Sequence, residues 1–141
     1  MATAEKTVIT IESVINASVS KVWEYFNTPD HVTKWNTASP DWHSPSAKND
    51  LRVGGSFTYR MEAKDGSFGF DFSGVYDAVT PEKYIEYTMG DGRNVKVYFS
   101  GNGDTTTLVE SFEAETENSE ELQRTGWQSI LDNFKNYVEN N

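Results

Sequence analysis

Few side chains in this sequence have the chemistry of a general base or a metal ligand. The 141 residues include 2 histidines and no cysteine. His31 lies at the start of a short polar helix, and His43 lies in a loop beside Trp42 and Asp41. A metal site needs several converging ligands, and a nucleophile needs its base within hydrogen-bond reach. The pattern therefore favours exposed histidines and predicts no catalytic residue, no metal site and no cofactor.

Glu110 is the carboxylate whose position bears most directly on function. It alternates with Leu108 and Phe112 in the last predicted strand, which places it on the inward face. There it would orient a polar group of a ligand or act as an acid or base, with its pKa raised by burial. The opposite register points Val109 inward and Glu110 into solvent. This second interpretation is favoured because an unpaired buried carboxylate is costly, but Glu110 stays among the candidate site residues.

The composition limits the classes of function. The formal charge is -10, from 22 acidic and 12 basic residues. This balance argues against nucleic-acid binding, which relies on clustered Lys and Arg. The absence of cysteine excludes a disulfide scaffold and a thiol nucleophile. No window approaches about 18 consecutive apolar residues, and residues 1–6 are polar, so we expect no membrane insertion, no signal peptide and a cytoplasmic location.

Alternation of apolar and polar residues predicts a sheet. The length fits one domain over residues 1–141. Residues 7–15 predict a first strand, and residues 37–50 predict a loop with a short strand around Trp42. Five further strands between residues 56 and 112 are separated by turns containing Gly or Pro, which is typical of an antiparallel meander. Gly74 predicts a β-bulge where the alternation becomes unclear.

Helix signals precede and follow the predicted meander. Ser18 and Thr28 are good N-caps and predict two short helices that follow each other almost directly. Asn118 is the predicted N-cap of a long C-terminal helix, with Glu121 completing a capping box. Gly126 lies inside this last helix, where glycine is unfavourable. It indicates either a close backbone approach or open space beside the next side chain.

The order of these elements predicts an α+β protein with a helix-grip fold. In this fold a curved antiparallel β-sheet wraps around a long C-terminal α-helix, and two short N-terminal helices close one end. The sequence resembles the activator of heat-shock protein 90 ATPase homologue (AHSA-like) family, within the START-like (SRPBCC) superfamily. The resemblance extends over nearly the whole chain and implies a single START-like domain. It rests on Ile15, Ala17, Val22, Trp23, Phe26, Pro29, Val32, Trp35, Asn36, the run 51–55, Phe57, Gly66, Phe70, Gly74, Tyr76, Pro81, Ile85, the run 126–134, Tyr137, Val138 and Glu139.

Aromatic residues supply the strongest signal for a binding site. They make up 13% of a chain that is only 36% hydrophobic, so large rings contribute much of the apolar surface. In a helix-grip fold these rings either fill the core or line a cavity between the sheet and the last helix. The candidate ligand-binding residues are Trp35, Trp42, Tyr59, Phe70, Phe72, Tyr87, Phe99, Glu110, Phe112, Trp127, Leu131 and Phe134.

Three functions are compatible with this pattern. The first is non-enzymatic binding of a small apolar or amphipathic ligand in such a cavity, in a stress-related role. The second, implied by the resemblance, is a co-chaperone-like interaction module that regulates a chaperone ATPase, and the acidic run over residues 110–121 is a candidate partner surface. The third is a cyclase- or hydrolase-type enzyme. We expect a small molecule and a chaperone protein as possible partners, no nucleic acid, and a monomer or weak dimer.

Overall fold

The computed structural model describes residues 7–141, so the expectation for residues 1–6 lies outside the described residues. This part of the chain forms eight strands and three helices. In chain order the elements are β1 (Val8–Ile15), α1 (Val19–Asn27), α2 (Pro29–Trp35), β2 (Trp42–His43), β3 (Ala47–Asn49), β4 (Ser56–Ala63), β5 (Gly69–Thr80), β6 (Tyr84–Met89), β7 (Asn94–Asn102), β8 (Thr105–Glu113) and α3 (Glu120–Asn140). The predicted α+β helix-grip fold is confirmed.

All eight strands belong to one curved antiparallel sheet. Its order is β1-β8-β7-β6-β5-β4-β2, and β3 also pairs with β4. The meander from β4 to β8 is the predicted one, and β1 returns to pair with β8, for example Ile11 with Glu110. The short strand at Trp42 is confirmed as β2. Strand β3 was not predicted, because its three residues form part of the polar segment that reads as a loop.

Strict alternation decides which side chains point inward. In β1 the isoleucines 9, 11 and 15 are buried while their neighbours are exposed. Strand β8 alternates in the same way, with Leu108 and Phe112 almost completely buried. The hydrophobic core therefore lies between the concave inner face of the sheet and the three helices. No helix within residues 7–141 is long and apolar enough to cross a membrane.

Helix α3 closes the concave face. Leu131, Phe134 and Val138 are buried on its inner side. Near its C-terminal end the Lys135 ammonium donates to the backbone carbonyl of Val14 at 2.6 Å. These contacts fix the helix along β1 and leave its first half to cover the middle of the sheet.

Helix α3 begins one residue later than predicted. Ser119 is its N-cap, and the serine hydroxyl accepts a hydrogen bond from the Leu122 N–H at 3.1 Å. The prediction of Asn118 is wrong because both polar groups of its backbone already have partners. Its N–H donates to the Glu115 carboxylate at 2.7 Å, and its carbonyl accepts from the Gln123 side chain at 2.9 Å.

The predicted bulge at Gly74 is also misplaced. The register of β5 against β6 shifts between Tyr76 and Ala78 instead. Gly74 has a different role, because a Cβ at this position would lie 2.9 Å from the ring of Phe57 and 3.0 Å from that of Tyr87. The glycine allows two aromatic rings to lie directly over the sheet backbone.

Candidate functional site

A cavity of about 500 Å³ lies between the sheet and the three helices. Strands β4, β5, β6 and β8 form its floor, and the ends of α1 and α2 and the middle of α3 form its roof. The exposed lining residues Asp71 and Asp91 mark where it reaches solvent, between the start of β5 and the turn after β6. The lining residues are Phe26, Asn27, Trp35, Asn36, Phe57, Tyr59, Met61, Phe70, Asp71, Phe72, Ser73, Tyr76, Ile85, Tyr87, Met89, Gly90, Asp91, Arg93, Glu110, Trp127 and Ile130.

Nine of the 21 residues that line the cavity are aromatic. Phe57 is central, with its ring centroid 4.9 Å from that of Tyr59, 5.5 Å from Tyr76 and 4.8 Å from Tyr87. On the helix side, the Trp127 indole lies 5.9 Å from the ring of Phe72 at a steep angle. The pairs Phe57–Tyr87 and Phe72–Trp127 are edge to face, an arrangement that aromatic rings favour.

Glu110 lies on the cavity floor and is 8% exposed. The favoured sequence interpretation, with Glu110 in solvent, is therefore wrong, because β8 keeps its alternation and pairs Glu110 with Val97 and Ile11. Its carboxyl makes no hydrogen bond or ion pair within the described part of the chain. Burial raises the pKa of Glu110 to about 7, since water no longer solvates the anion.

Two neighbours on the cavity wall add polar character. Burial raises the pKa of the Tyr87 phenol well above its ordinary value, and the nearby carboxylate of Glu110 raises it further. Asn36, which ends α2, is 7% exposed, and its side-chain nitrogen has no hydrogen-bond partner among residues 7–141. Buried polar groups normally have partners. The carboxyl of Glu110 thus lies without a partner on the cavity floor, and the Asn36 amide nitrogen lies without a partner beneath the cavity surface.

Charged side chains surround the opening. The Arg93 guanidinium contacts the Asp91 carboxylate at 2.8 Å and donates to the backbone carbonyl of Glu113 at 3.4 Å. Asp71 lies on the other side of the opening, 3.5 Å from the guanidinium of Arg60. The entrance therefore carries both signs of charge, whereas the interior carries Glu110.

Comparison with known proteins assigns the chain to a family. The family described as Activator of Hsp90 ATPase homolog 1-like protein matches residues 16–139. The chain belongs to this family. Its fold is compatible with ligand binding or with a role related to a chaperone ATPase. Among curated proteins, no relative matches the chain.

Solved structures of similar proteins have the same architecture. An AHSA1-like protein from Aeromonas hydrophila is 45% identical with a TM-score of 0.89, over 95% of this chain and 93% of that one. A protein from Cytophaga hutchinsonii is 56% identical with a TM-score of 0.81, over 94% and 92% of the two chains. A Nitrosomonas europaea protein at 19% identity and a TM-score of 0.80, over 94% of each chain, shares the fold.

The structure brings seven of the twelve candidate residues to the cavity: Trp35, Tyr59, Phe70, Phe72, Tyr87, Glu110 and Trp127. The remaining five lie elsewhere. Phe99 and Phe134 pack against Phe26, at 5.5 and 5.4 Å between ring centroids, and Leu131 is buried beside them in the core. Phe112 lies under Trp127, with the two rings stacked at 3.9 Å.

Trp42 is the fifth residue, and it lies on the outer rim. With Phe68 and Phe70 it forms an exposed ring cluster, in which the Trp42 centroid is 5.9 Å and 6.0 Å from the other two rings. Phe68 is 62% exposed and Phe70 is 40% exposed. The cluster borders the cavity, since Phe70 belongs to both.

Sequence reasoning missed several lining residues. Asn36 and Arg93 were not among the candidates, because each stands at the end of an element where no periodic pattern assigns a direction. Tyr76 was missed because the register shift that follows it obscures the alternation of β5. A signal was present for Met89, which continues the inward set of β6 after Tyr87.

The two histidines lie outside the cavity. The His31 ring stacks on Tyr25 at 3.9 Å between centroids, and its Nδ1 lies 2.7 Å from the Tyr137 hydroxyl. His43 is largely exposed, with its Nε2 3.6 Å from the Glu62 carboxylate. Within the described residues no group of three or more His, Asp or Glu side chains is arranged to hold a metal ion. Neither imidazole is placed to act on a molecule inside the cavity.

Proposed function

We propose that this protein binds a small apolar or amphipathic molecule in the cavity between the sheet and α3, without turning it over. The observation that carries the proposal is a cavity of about 500 Å³ whose ring-lined interior contains the unpartnered carboxyl of Glu110. Small-molecule sites have volumes of roughly 300–1,000 Å³ and combine apolar walls with a few polar groups. Placing this function in the cytoplasm, in a stress-related setting and in a monomer or weak dimer stays a prediction.

The energetics of the interior support this proposal. Leaving a buried polar group without a hydrogen bond costs about 1–3 kcal/mol. A core selected for stability alone would have an apolar residue in place of Glu110. A ligand that contacts Glu110 would offset this cost, and its apolar part would cover the rings of Phe57 and Trp127.

The test is a thermal-shift screen with a panel of lipids and aromatic metabolites, repeated on two variants of α3. Ile130→Phe adds a ring inside the cavity, whereas Leu122→Phe adds the same ring where the side chain is 59% exposed. A ligand at 100 times its Kd should add about 2.7 kcal/mol of stability to the wild type and to the Leu122 variant. The Ile130 variant should respond much less.

Either of two results would contradict the proposal. One is that no compound stabilises the wild type although the protein is folded. The other is that Ile130→Phe responds to a hit compound as strongly as Leu122→Phe, which would place the binding site outside the cavity.

The family description favours a second candidate, regulation of a chaperone ATPase. The acidic run is a weaker surface for this than the sequence suggested, because Glu110 is buried and Glu115 is bound to the Asn118 N–H. The exposed ring cluster is the better candidate surface.

The assay measures the ATPase rate of the host Hsp90 with wild type, Phe68→Ser and Val53→Ser. Phe68 and Val53 are both 62% exposed, so a loss of effect in the Phe68 variant alone supports the candidate, and no effect of wild type refutes it.

A further inference from the structure

The charges that line the cavity are mainly negative. Asp71, Asp91 and Glu110 contribute carboxyl groups, and within residues 7–141 Arg93 is the one cationic residue of the lining. Arg93 is already engaged, because its guanidinium contacts Asp91 and the Glu113 carbonyl. The chain as a whole has a formal charge of -10. At the opening Asp71 is paired with Arg60 and Asp91 with Arg93, so the carboxyl without a charged partner is that of Glu110 in the interior, and it favours a ligand of the opposite charge.

Glu110 provides a partner for such a ligand deep in the cavity. Its carboxyl is more than nine-tenths buried and has no hydrogen-bond or ion-pair partner in the described chain. The side chains of its strand neighbours Ile11 and Val97 are apolar and offer it none. An ammonium group would supply both the hydrogen-bond donors and the opposite charge that the site lacks.

The aromatic wall suits the same kind of ligand. The rings of Phe57, Tyr87 and Trp127 line the cavity together with Glu110. Aromatic faces attract organic cations through the ring quadrupole, most strongly where water is excluded. The negative ring faces and carboxylates would repel an anionic ligand. A neutral alcohol could donate a hydrogen bond to Glu110, but it would gain no charge attraction from the rings or from the carboxylate.

We propose, resting on the ligand-binding function above, that the ligand is a small organic cation: an amine on an apolar or aromatic skeleton, with its ammonium group beside Glu110. The ammonium group is the part of the ligand that Glu110 recognises, and the aromatic wall contacts the skeleton. The ligand therefore combines an ammonium group with an apolar or aromatic body.

Three probes with one skeleton test this inference: 4-phenylbutylamine, 4-phenylbutan-1-ol and 4-phenylbutanoate. Their Kd values are measured by titration calorimetry with wild type, Glu110→Gln and Glu12→Gln, where Glu12 is an exposed residue of the neighbouring strand β1. We expect the amine to bind wild type at least about tenfold more tightly than the alcohol, because charge-assisted hydrogen bonds are the stronger ones. The carboxylate should bind most weakly. Glu110→Gln should abolish the preference for the amine, and Glu12→Gln should retain it.

Proton release provides a readout that does not depend on any variant. Near pH 6.5 part of Glu110 is protonated, because burial raises its pKa to about 7. An ammonium ligand would expel that proton, so the heat of binding should change with the ionisation enthalpy of the buffer. The other titratable groups around the floor are the phenols of Tyr59, Tyr76 and Tyr87, whose pKa values burial raises, and they stay protonated at this pH. Asp71, Asp91 and Arg93 lie at the opening, and the nearest residues of the neighbouring strands, Ile11 of β1 and Val97 of β7, are apolar, as is Ile130 of α3 in the lining.

The possible outcomes separate the two proposals. If the alcohol binds wild type as tightly as the amine, and binding releases no proton, the inference about the cation is overturned while the ligand-binding function stands. If the amine is preferred equally by wild type and Glu110→Gln, Glu110 is not its partner and the inference fails. If none of the three probes binds the folded protein, the inference about the cation is overturned, and the thermal-shift panel decides the ligand-binding function separately.

Discussion

Replacing Glu110 with glutamine tests the central structural claim, that this carboxyl is buried without a partner. Glutamine has nearly the same shape but cannot ionise, so the substitution removes the charge and leaves the cavity in place. The free energy of unfolding of wild type and Glu110→Gln should therefore differ in a way that depends on pH. The structure gives both the sign and the size of that dependence.

The sign follows from the two pKa values of Glu110. In the folded protein burial raises the pKa to about 7, whereas the ordinary value is 4.5. Below about pH 4.5 the carboxyl is protonated in both states, and it affects their balance little. As the pH rises from about 4.5 to about 7, the unfolded chain loses this proton first, so the folded state is progressively destabilised. Well above about pH 7 the carboxyl is ionised in both states, and the folded state is not destabilised further.

The size follows from the difference between the two values. Each pKa unit corresponds to 1.36 kcal/mol, so the ionised carboxyl costs the folded protein about 3 kcal/mol. The free energy of unfolding of Glu110→Gln minus that of wild type should therefore increase by about 3 kcal/mol from acidic to mildly alkaline pH. Lowered pKa values at Glu86, Asp91 and Glu139 change the wild-type curve in the opposite direction, but they are present in both proteins and cancel in the difference.

Urea unfolding followed by the fluorescence of the 4 tryptophans measures this difference at a series of pH values. Glu12→Gln, at an exposed position on β1, is the control and should stay within about 0.5 kcal/mol of wild type throughout. A difference between Glu110→Gln and wild type that does not change with pH would refute the reasoning. It would mean that Glu110 is hydrated or paired in the folded protein, and the argument for a polar group buried in the cavity would fall with it.

Two glycines should respond to the same substitution in opposite directions. Gly126→Ala should raise the stability by about 1 kcal/mol and the Tm by about 3 °C, because a Cβ there meets no atom within 4 Å; a lower Tm in calorimetry would contradict this. Gly74→Ala should lower the stability by about 1–3 kcal/mol, because its Cβ would lie 2.9 Å from the Phe57 ring and 3.0 Å from that of Tyr87. Urea unfolding with an unchanged midpoint would show that these rings move freely and that the wall of the cavity is not rigid.

Local patterns were sufficient to predict the sheet. In β4 the residues Phe57, Tyr59 and Met61 alternate with half-exposed polar residues, and the structure buries all three. The following turn contains Asp65 and Gly66, and the positive φ of Gly66 is the one that such a turn requires. These signals are contained within a few residues, so no tertiary information was needed to interpret them.

The features that were predicted wrongly depend on side-chain contacts that the local residue pattern does not show. Asn118 and Ser119 are equally good N-caps by type, and the Gln123 side chain decides between them by binding the Asn118 carbonyl. The role of Gly74 comes from Phe57 on the adjacent strand, which the local sequence around Gly74 does not reveal. Gly126 faces open space, so of the two explanations for this glycine the close backbone approach is wrong.

The extent of the cavity was equally inaccessible from the sequence. Strand alternation gives the same prediction for Phe112 and Tyr87, because both lie on the inner face of the sheet. The difference arises because Trp127 stacks on Phe112 at 3.9 Å and covers it, while Tyr87 remains uncovered on the cavity wall. Which rings fill the core and which line a cavity therefore depends on how α3 lies across the sheet.

Glu110 set two sequence arguments against each other. The alternation of β8 pointed the side chain inward, whereas the cost of burying a carboxylate pointed it outward. The structure follows the alternation, because turning Glu110 outward would also expose Leu108 and Phe112, two of the most deeply buried side chains of the core. The folded protein therefore bears the free-energy cost of removing the Glu110 carboxylate from water. A natural sequence tends to keep such a local conflict where function requires it, and at Glu110 the conflict lies on the floor of a cavity that a ligand could enter.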